Sequence, residues 1–242
     1  MKVNEATVMN KQLKSLRKYA FLVLLVLISA SFFYFHLYDY LSLALLKKYQ
    51  SIAQEWTTSH YTSAVTLYLL VFTILIACAI PCATFLTLLG GFLFGMISIL
   101  YSVFSITCGG LILFLAVRTA IGSRVAARSG GWIKRMEKGF QQNAFHYILT
   151  LRLVPVFPCW ISNIASGILN VPIKTFIFAT VLGILPSTVI YVMAGQSLDK
   201  ILTDDKTPLI NIIMTPSVLL PLLGLAFLSI FPVIYKSVKK QN

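Results

Sequence analysis

Long apolar stretches, separated by short clusters of charged residues, are the dominant pattern of this chain. Residues 61–117 contain no charged side chain, and further apolar stretches cover residues 20–38, 153–173 and 175–198. A helix needs about 20 apolar residues to cross a bilayer. The strands of outer-membrane barrels alternate apolar and polar residues, whereas these stretches are continuously apolar. The pattern therefore predicts an all-α polytopic membrane protein.

Charge separates the two sides of the predicted membrane protein. The net charge is +13, with 58% hydrophobic and 11% charged residues. Basic residues cluster at residues 2–18, 118–138 and 236–240, while residues 199–206 are net acidic. Because basic loops stay on the cytoplasmic side, both termini and the central loop are predicted to be cytoplasmic. The basic segments favour anionic lipid headgroups as partners. No nucleic acid is expected, since there is no basic soluble domain.

The number of membrane crossings must place each charge cluster on its predicted side of the membrane. Residues 61–117 must bring the chain inward through an odd number of crossings, and three crossings would leave no residues for turns. We therefore expect one transmembrane helix at about residues 96–117, preceded by a re-entrant hairpin at about residues 64–95. Pro81 interrupts this hairpin, because proline breaks helices.

The same reasoning applies to the second half of the chain. One crossing at about residues 175–197 brings the chain to the acidic loop, so residues 146–170 are predicted to form a second re-entrant hairpin, entering from the opposite side. Helices at residues 20–38 and 208–235 bring the expected total to about four transmembrane helices. Irregular backbone at membrane depth must be buried in protein or line a wet cavity, so the two hairpins are expected to meet.

Three segments follow from this topology. Residues 1–60 hold the basic N-terminal segment, the first helix and an interfacial segment; residues 61–198 form the core; and residues 199–242 hold the acidic loop, the last helix and the basic tail. Within the core, "IPCATFLTLLG" and "FPCWISNIASG" both contain Pro-Cys, with a glycine nine residues after the proline. Because the hairpins enter from opposite sides, we predict an inverted-topology repeat, which is typical of transporters.

Four ordered motifs in residues 60–198 carry a family resemblance. The first half contains "PCATFLTLLGGFLFG" and then "GGLILFLAVR", and the second contains "LRLVPVFPCWISNIASG" and then "LGILPSTVIYVMAG". Together they resemble the DedA-like, or VTT-domain, superfamily, and most closely its SNARE-associated Golgi protein branch. The resemblance implies two opposed re-entrant hairpins. It also implies movement of lipids between leaflets, of flippase or scramblase type.

The family also suggests substrates for the chain. Bacterial relatives are linked to recycling of polyprenyl-phosphate carriers and to envelope homeostasis, and eukaryotic relatives scramble phospholipids. The bacterial DedA branch carries acidic residues near its first hairpin that are thought to couple protons, but residues 61–117 contain no Asp or Glu. This departure favours passive scrambling or another substrate. The compact chain indicates a bacterial inner (plasma) membrane as its location.

Arg152 is the best candidate for substrate contact, because an ionisable residue inside a membrane segment is a functional hypothesis by default. Its planar fork can bind a lipid phosphate at two points; alternatively, it snorkels to the headgroup level. Asn163 offers two donors and an acceptor in the same hairpin. The half-helices after Pro81 and Pro158 would aim their positive ends at an anion. The full set of predicted substrate-binding residues is Arg152, Asn163, Arg118, Pro155, Pro158, Gly167, Pro81, Gly90, Gly91 and Gly95.

The weaker candidates also have plain structural interpretations. Arg118 ends a predicted crossing, where a basic residue is routine. The four glycines of the set allow helices to approach closely. Trp160 is either an interfacial anchor or part of a cavity wall.

Enzymatic chemistry has little support in the sequence. There is no Walker loop, GxGxxG motif or GxSxG motif, and the four cysteines and three histidines form no ligand motif. We therefore expect no catalytic residues, no metal and no cofactor. Two alternatives to lipid movement stay open: a secondary transporter of a small solute or ion, and a non-transporting membrane scaffold. A homo-oligomer is also left open.

Overall fold

The computed structural model describes residues 20–36, 43–122, 143–153 and 158–203, and within these ranges it contains helices and turns but no strand. Most of the central basic segment, the predicted last helix at residues 208–235 and the basic tail lie outside the described residues. The described helices are α1 (Ala20–Tyr34), α2 (Leu43–Ser59), α3 (Tyr61–Ala77), α4 (Ala83–Phe94), α5 (Ser98–Val117), α6 (Ala144–Leu153), α7 (Cys159–Ile168) and α8 (Ile173–Thr203).

Two sets of three consecutive helices pack in a matching way. In the first set α3 packs against α5, and in the second set α6 packs against α8. The short helix of each set packs against the long helix of the other set, so that α4 lies on α8 and α7 lies on α5. The long helices α5 and α8 also contact each other. This reciprocal exchange agrees with an inverted repeat, whereas the side from which each hairpin enters the membrane stays a prediction.

The predicted break in the first set is confirmed at Pro81, between the end of α3 and the start of α4. The end of α3 is closed by two reversed hydrogen bonds, from the Ala79 amide to the Ile76 carbonyl and from the Ile80 amide to the Leu75 carbonyl. This is the Schellman arrangement, which requires a left-handed residue after the helix cap. Ala79 occupies that position with φ of 61°, where glycine is the usual residue.

A second sharp turn separates α4 from α5. Gly95 has φ of +69° and begins a 3-10 turn, Gly95–Ile97. In a straight helix, residues eight positions apart are separated by about 12 Å along the axis. A Cβ built on Gly90 would instead lie 3.2 Å from the Cβ of Ser98. The chain therefore folds back at Gly95, close to the predicted boundary between residues 64–95 and 96–117.

The long helices turn apolar side chains outward and hydroxyl groups inward. On α5, Leu100 and Phe104 are exposed, whereas Ser98, Ser102 and Ser105 are completely buried. A helix at the surface of a soluble protein shows the opposite distribution. This distribution is expected of a helix that lies between lipid and a polar protein interior.

By length and composition, two helical stretches of the described residues are apolar enough to cross a membrane, Ala83–Ala120 and Ile173–Ser197. The turn at Gly95 divides the first stretch, so its part long enough to cross is α5. The two stretches contain the crossings predicted at residues 96–117 and 175–197. Together with the outward apolar faces, they define an integral membrane protein. The predicted helix at residues 20–38 is observed as α1, which is shorter than a crossing in its described part. The interfacial segment is observed as α2, bent by 113° from α3.

Candidate substrate-binding cavity

A cavity of about 170 Å³ lies between the two helix breaks. Its walls come from both sets of helices: the end of α3, the start of α4, the last turn of α6, the start of α7 and the middle of α8. The lining residues used below are Pro81, Thr84, Thr87, Arg152, Pro158, Cys159, Trp160, Asn163, Thr188 and Tyr191. The two helix breaks therefore meet at one cavity, and their assignment to re-entrant hairpins stays a prediction.

Arg152 is buried in the last turn of α6, with 5% of the residue exposed. Its Nη2 donates to Oδ1 of Asn163 at 2.5 Å and to the Thr180 hydroxyl at 3.3 Å, and its Nη1 donates to the Cys159 carbonyl at 3.4 Å. These acceptors are all neutral oxygens. The Nε atom is buried without a hydrogen-bond partner among the described residues. The guanidinium thus points into the protein, where neutral dipoles solvate its charge. Its Nε–H group has no acceptor among the described residues.

A close approach between α6 and α8 positions this arginine. A Cβ built on Gly183 would lie 2.5 Å from the Cβ of Arg152 and 3.4 Å from the Leu149 carbonyl oxygen. Only glycine leaves the backbone of α8 near enough to α6 for Thr180, one turn earlier, to accept from the guanidinium. The burial of Arg152 therefore depends on a residue of the distant helix α8.

The short helix α7 turns its polar face inward. Ser162, Asn163 and Ser166 are 1–2% exposed, while Trp160 and Ile161 are 36% and 41% exposed. The hydroxyls of Ser162 and Ser166 have no hydrogen-bond partner among the described residues. Buried polar groups without partners are costly. Of these three polar residues Asn163 lines the cavity, whereas Ser162 and Ser166 are enclosed away from it. Trp160 both lines the cavity and reaches the outer surface.

The positive ends of two half-helices converge on the same cavity. The first residues of α4 and α7 follow Pro81 and Pro158, and both prolines line the cavity. Neither helix has a side chain that caps its first amides. The first amides of a helix lack intrahelical acceptors and carry partial positive charge. Two helix N-termini and one guanidinium therefore give the cavity a positive potential suited to an anion.

The structure places four of the predicted residues around the cavity: Arg152, Asn163, Pro81 and Pro158. Arg118 lies at the end of α5, outside the cavity lining, and its Nη1 donates to the Val171 carbonyl at 3.1 Å. Pro155 lies outside the described residues.

The predicted glycines support helix contacts and do not line the cavity. A Cβ on Gly90 would overlap the Tyr68 hydroxyl, and one on Gly91 would overlap the backbone of Val192 on α8. A Cβ on Gly167 would lie 2.7 Å from the Phe114 carbonyl oxygen of α5. The contacts of Gly91 and Gly167 join the two sets of helices, that of Gly90 joins α4 to α3 within the first set, and Gly95 makes the turn between α4 and α5.

Several residues of the site carry no signal in the sequence. Thr180 and Phe176 touch the Arg152 guanidinium but are separated from it by more than twenty residues. Thr87, Thr188 and Tyr191 also line the cavity. Hydroxyl residues in an apolar helix are ordinary in composition, so only the packing of α4 and α8 shows that these five residues belong to one site.

Two broken-helix pairs pack reciprocally around a cationic cavity between long apolar helices, and together they define an integral membrane protein built from two matching sets of helices. Residues 80–197 match the model of the VTT domain. The match covers just under half of the chain and confirms the resemblance to the VTT-domain family that its motifs carry.

The chain is similar to Transmembrane protein 41B of several vertebrates. It is 28% identical to the proteins of Mus musculus and Homo sapiens over 198 residues, which cover 79% of this chain and 65% of each relative. The Gallus gallus protein is 27% identical over 198 residues and is covered to 70%. The chain thus spans about two thirds of the length of these relatives. No solved structure shows a significant match. The bacterial inner membrane and the cytoplasmic termini stay predictions.

Proposed function

We propose that this protein moves lipids with a phosphate headgroup, either a phospholipid or a polyprenyl phosphate, between the leaflets of its membrane. Such flippase- or scramblase-type movement would support membrane or envelope homeostasis. The observation that carries the proposal is the buried Arg152 guanidinium, whose hydrogen-bond acceptors among the described residues are all neutral, at the place where the N-termini of α4 and α7 converge.

Electrostatics favour an anion at this position. A charged side chain at membrane depth costs several kcal/mol unless it is paired or hydrated. Asn163 and Thr180 reduce that cost, but they supply no counter-charge. A phosphate can accept from two N–H groups of a guanidinium at once, and the unused Nε of Arg152 offers one of them. A lipid phosphate in the cavity would supply the missing negative charge.

The size and surroundings of the cavity support a headgroup in preference to a whole lipid. One water needs roughly 10–15 Å³ of such space, so a cavity of about 170 Å³ holds a small polar headgroup with some water. Acyl chains would stay outside, against exposed apolar side chains such as Phe104 on α5 and Leu182 on α8. The headgroup would then cross within the protein while the chains follow in the bilayer.

A second candidate function is secondary transport of a small anion, which the modest cavity volume also favours. The two functions differ in the path of the substrate. A lipid would keep its acyl chains in the bilayer beside the protein, whereas a small anion would not enter the bilayer. The buried polar groups of α7 argue against a scaffold without transport.

Purified protein in liposomes separates these functions. Headgroup-labelled phosphatidylglycerol, or a labelled polyprenyl phosphate, should exchange between leaflets faster than in vesicles without protein. Inorganic phosphate trapped in the same vesicles should be retained. If phosphate escapes while neither lipid gains speed, the protein is a transporter of a small anion. If nothing moves, the scaffold interpretation replaces both.

A further inference from the structure

A column of two phenylalanine rings, with a guanidinium on each outer face, runs from the cavity to the end of α5. The rings of Phe176 and Phe114 stack with centroids 4.7 Å apart and planes at 17°. The guanidinium carbon of Arg152 lies 5.8 Å from the Phe176 centroid, and that of Arg118 lies 5.7 Å from the Phe114 centroid. Both rings are completely buried. Cations over aromatic faces at this distance are attracted by the ring quadrupole, most strongly where water is excluded.

The hydrogen bonds of Arg152 leave its orientation only partly fixed. The contact with Asn163 is short, but those with Thr180 and the Cys159 carbonyl measure 3.3 and 3.4 Å, and Nε has no described partner. The two longer hydrogen bonds restrain the planar group less than ideal ones would. The ring of Phe176, with its centroid 5.8 Å from the guanidinium carbon, offers a further restraint through cation–π attraction.

We propose that Phe176, which stacks on Phe114 while Phe114 contacts Arg118, sets the orientation in which Arg152 binds a phosphate. Phe176, Phe114 and Arg118 are then positioning residues of the cavity, and Arg118 is not a substrate ligand. This inference rests on the proposed function, because it gives Arg152 a headgroup phosphate as its ligand.

The position of Arg118 agrees with this role. Its side chain does not line the cavity, and its Nη1 donates to the carbonyl of Val171, in the turn between α7 and α8. The stack itself joins α5 to α8, since Phe114 belongs to α5 and Phe176 to α8. A change at Arg118 therefore reaches Arg152 through the two rings and through the turn that begins α8.

Phe72 provides a matched control for the loss of a buried ring. It is completely buried on α3, as Phe114 and Phe176 are on their helices, and its ring contacts Tyr68 edge-on at 5.5 Å. It contacts neither guanidinium of the column. Replacement of each phenylalanine by leucine removes the same ring, so any effect shared by all three variants reflects packing alone.

Cys159 allows phosphate binding to be measured without transport. It lines the cavity beside Arg152, and the other three cysteines, Cys78, Cys82 and Cys108, can be replaced by alanine. The protein in liposomes is treated with a small thiol reagent at increasing concentrations of inorganic phosphate. Bound phosphate should slow the modification of Cys159, and the concentration that gives half-protection measures affinity.

Phe176→Leu should raise the half-protecting phosphate concentration by about 5- to 10-fold, the effect of losing one desolvated cation–π contact. Phe114→Leu should raise it by about 2- to 3-fold, because Phe114 reaches Arg152 only through Phe176. Phe72→Leu should leave it unchanged. All three variants should lower the melting temperature by similar amounts. Phe176→Tyr, which keeps the ring, should restore most of the affinity lost in Phe176→Leu.

The positioning role is overturned if Phe176→Leu shifts phosphate protection no more than Phe72→Leu does. If Phe176→Leu cannot be purified, Phe114→Leu is measured in its place, and an unchanged phosphate affinity in that variant would also overturn the positioning role. If phosphate fails to protect Cys159 in the parent protein, the positioning role falls together with the anion site. If phosphate protects but no lipid moves, lipid movement is wrong while the positioning role stands.

Discussion

Tyr68 in the first set of helices and Arg152 in the second set make corresponding connections. Tyr68 on α3 donates to the Leu86 carbonyl of α4 and pairs with the Ser102 hydroxyl of α5, each at 2.9 Å. Arg152 on α6 donates to Asn163 of α7 and Thr180 of α8. In each set, one polar side chain of the first helix therefore joins the half-helix to the long helix.

The two connections differ in what they leave unused. The Tyr68 hydroxyl donates one hydrogen bond and shares a second, so it is neutral and satisfied. Arg152 is a cation whose Nε has no partner among the described residues, and it lines the cavity whereas Tyr68 does not. Under the proposed function, this connection is structural in the first set of helices and serves as a ligand site in the second. The two sets would then supply the frame, and the charge of Arg152 would supply the function.

The largest expected effect comes from removing that charge. Arg152→Gln should lower the rate of lipid exchange at least about tenfold, because a charge-assisted hydrogen bond contributes about 1.5–3 kcal/mol. Arg152→Lys should retain part of the rate, since an ammonium cannot form the two-point contact. The measurement is leaflet exchange of labelled phosphatidylglycerol in liposomes.

Lys174 serves as the control for this charge. It is exposed near the start of α8 and does not line the cavity. Lys174→Gln makes the same change of charge and should leave the exchange rate unaltered. Equal rates for Arg152→Gln and the parent protein would reduce Arg152 to a second structural connection.

Gly109 and Gly183, which pack against the first helix of each set, extend the comparison between the two sets. A Cβ on Gly183 would lie 2.5 Å from the Arg152 Cβ, and a Cβ on Gly109 would lie 2.5 Å from the Thr73 carbonyl oxygen of α3. Both alanine variants should lose about 1–3 kcal/mol of stability through overpacking. Only Gly183→Ala should also slow lipid exchange per folded molecule, by several-fold, because it displaces Arg152. Similar exchange rates in the two folded variants would contradict a special role for the second repeat.

Loss of the Tyr68 hydroxyl should affect stability and leave exchange intact. Tyr68→Phe removes two interhelical hydrogen bonds, and such bonds contribute on average about 0.6 kcal/mol each in membrane proteins. The melting temperature in detergent should fall, while the rate of lipid exchange should stay within about twofold of the parent, since at most about 0.4 kcal/mol of barrier would change. A large loss of exchange in this variant would mean that the first repeat also takes part in transport.

The smallest expected effect concerns the first helix break. Ala79 holds a left-handed conformation that costs roughly 1–2 kcal/mol for a residue with a Cβ. Ala79→Gly relieves this strain but increases the freedom of the unfolded chain, which offsets about 0.4–1 kcal/mol. We expect a rise in stability of at most about 1 kcal/mol, measured by thermal unfolding. A fall would show that contacts of the Ala79 methyl group outweigh its backbone strain.

The breaks of this fold were predictable from the sequence because their causes are local. Pro81 and Gly95 interrupt the helices at their own positions. The charge clusters predict an odd number of membrane crossings in each half of the core, and this number leaves residues for two hairpins. Arg152 and Asn163 could be paired because they lie eleven residues apart in one motif. Their remaining neighbours could not be found in this way.

The rest of the site depends on packing between distant helices. Phe114 and Phe176 are separated by more than sixty residues, and each looks like an ordinary core residue in its own helix. Arg118 was included among the predicted substrate-binding residues, with its position at the end of a crossing as the alternative explanation, and the structure places it at the far end of the ring stack. Only the close approach of α5 and α8 brings these side chains into one column with Arg152.

Contact between Arg152 and a lipid phosphate is the central claim, and solid-state NMR can test it directly. Protein with ¹³C at the arginine guanidinium carbons is reconstituted in phosphatidylglycerol, and ³¹P dephasing of the ¹³C signals is measured in the parent and in Arg152→Gln. A guanidinium that donates to phosphate oxygens at roughly 2.7–2.9 Å places its carbon about 4 Å from phosphorus. We predict a strongly dephased component that disappears in Arg152→Gln. Identical dephasing in the two proteins would contradict the account, because no lipid phosphate would then reach the cavity.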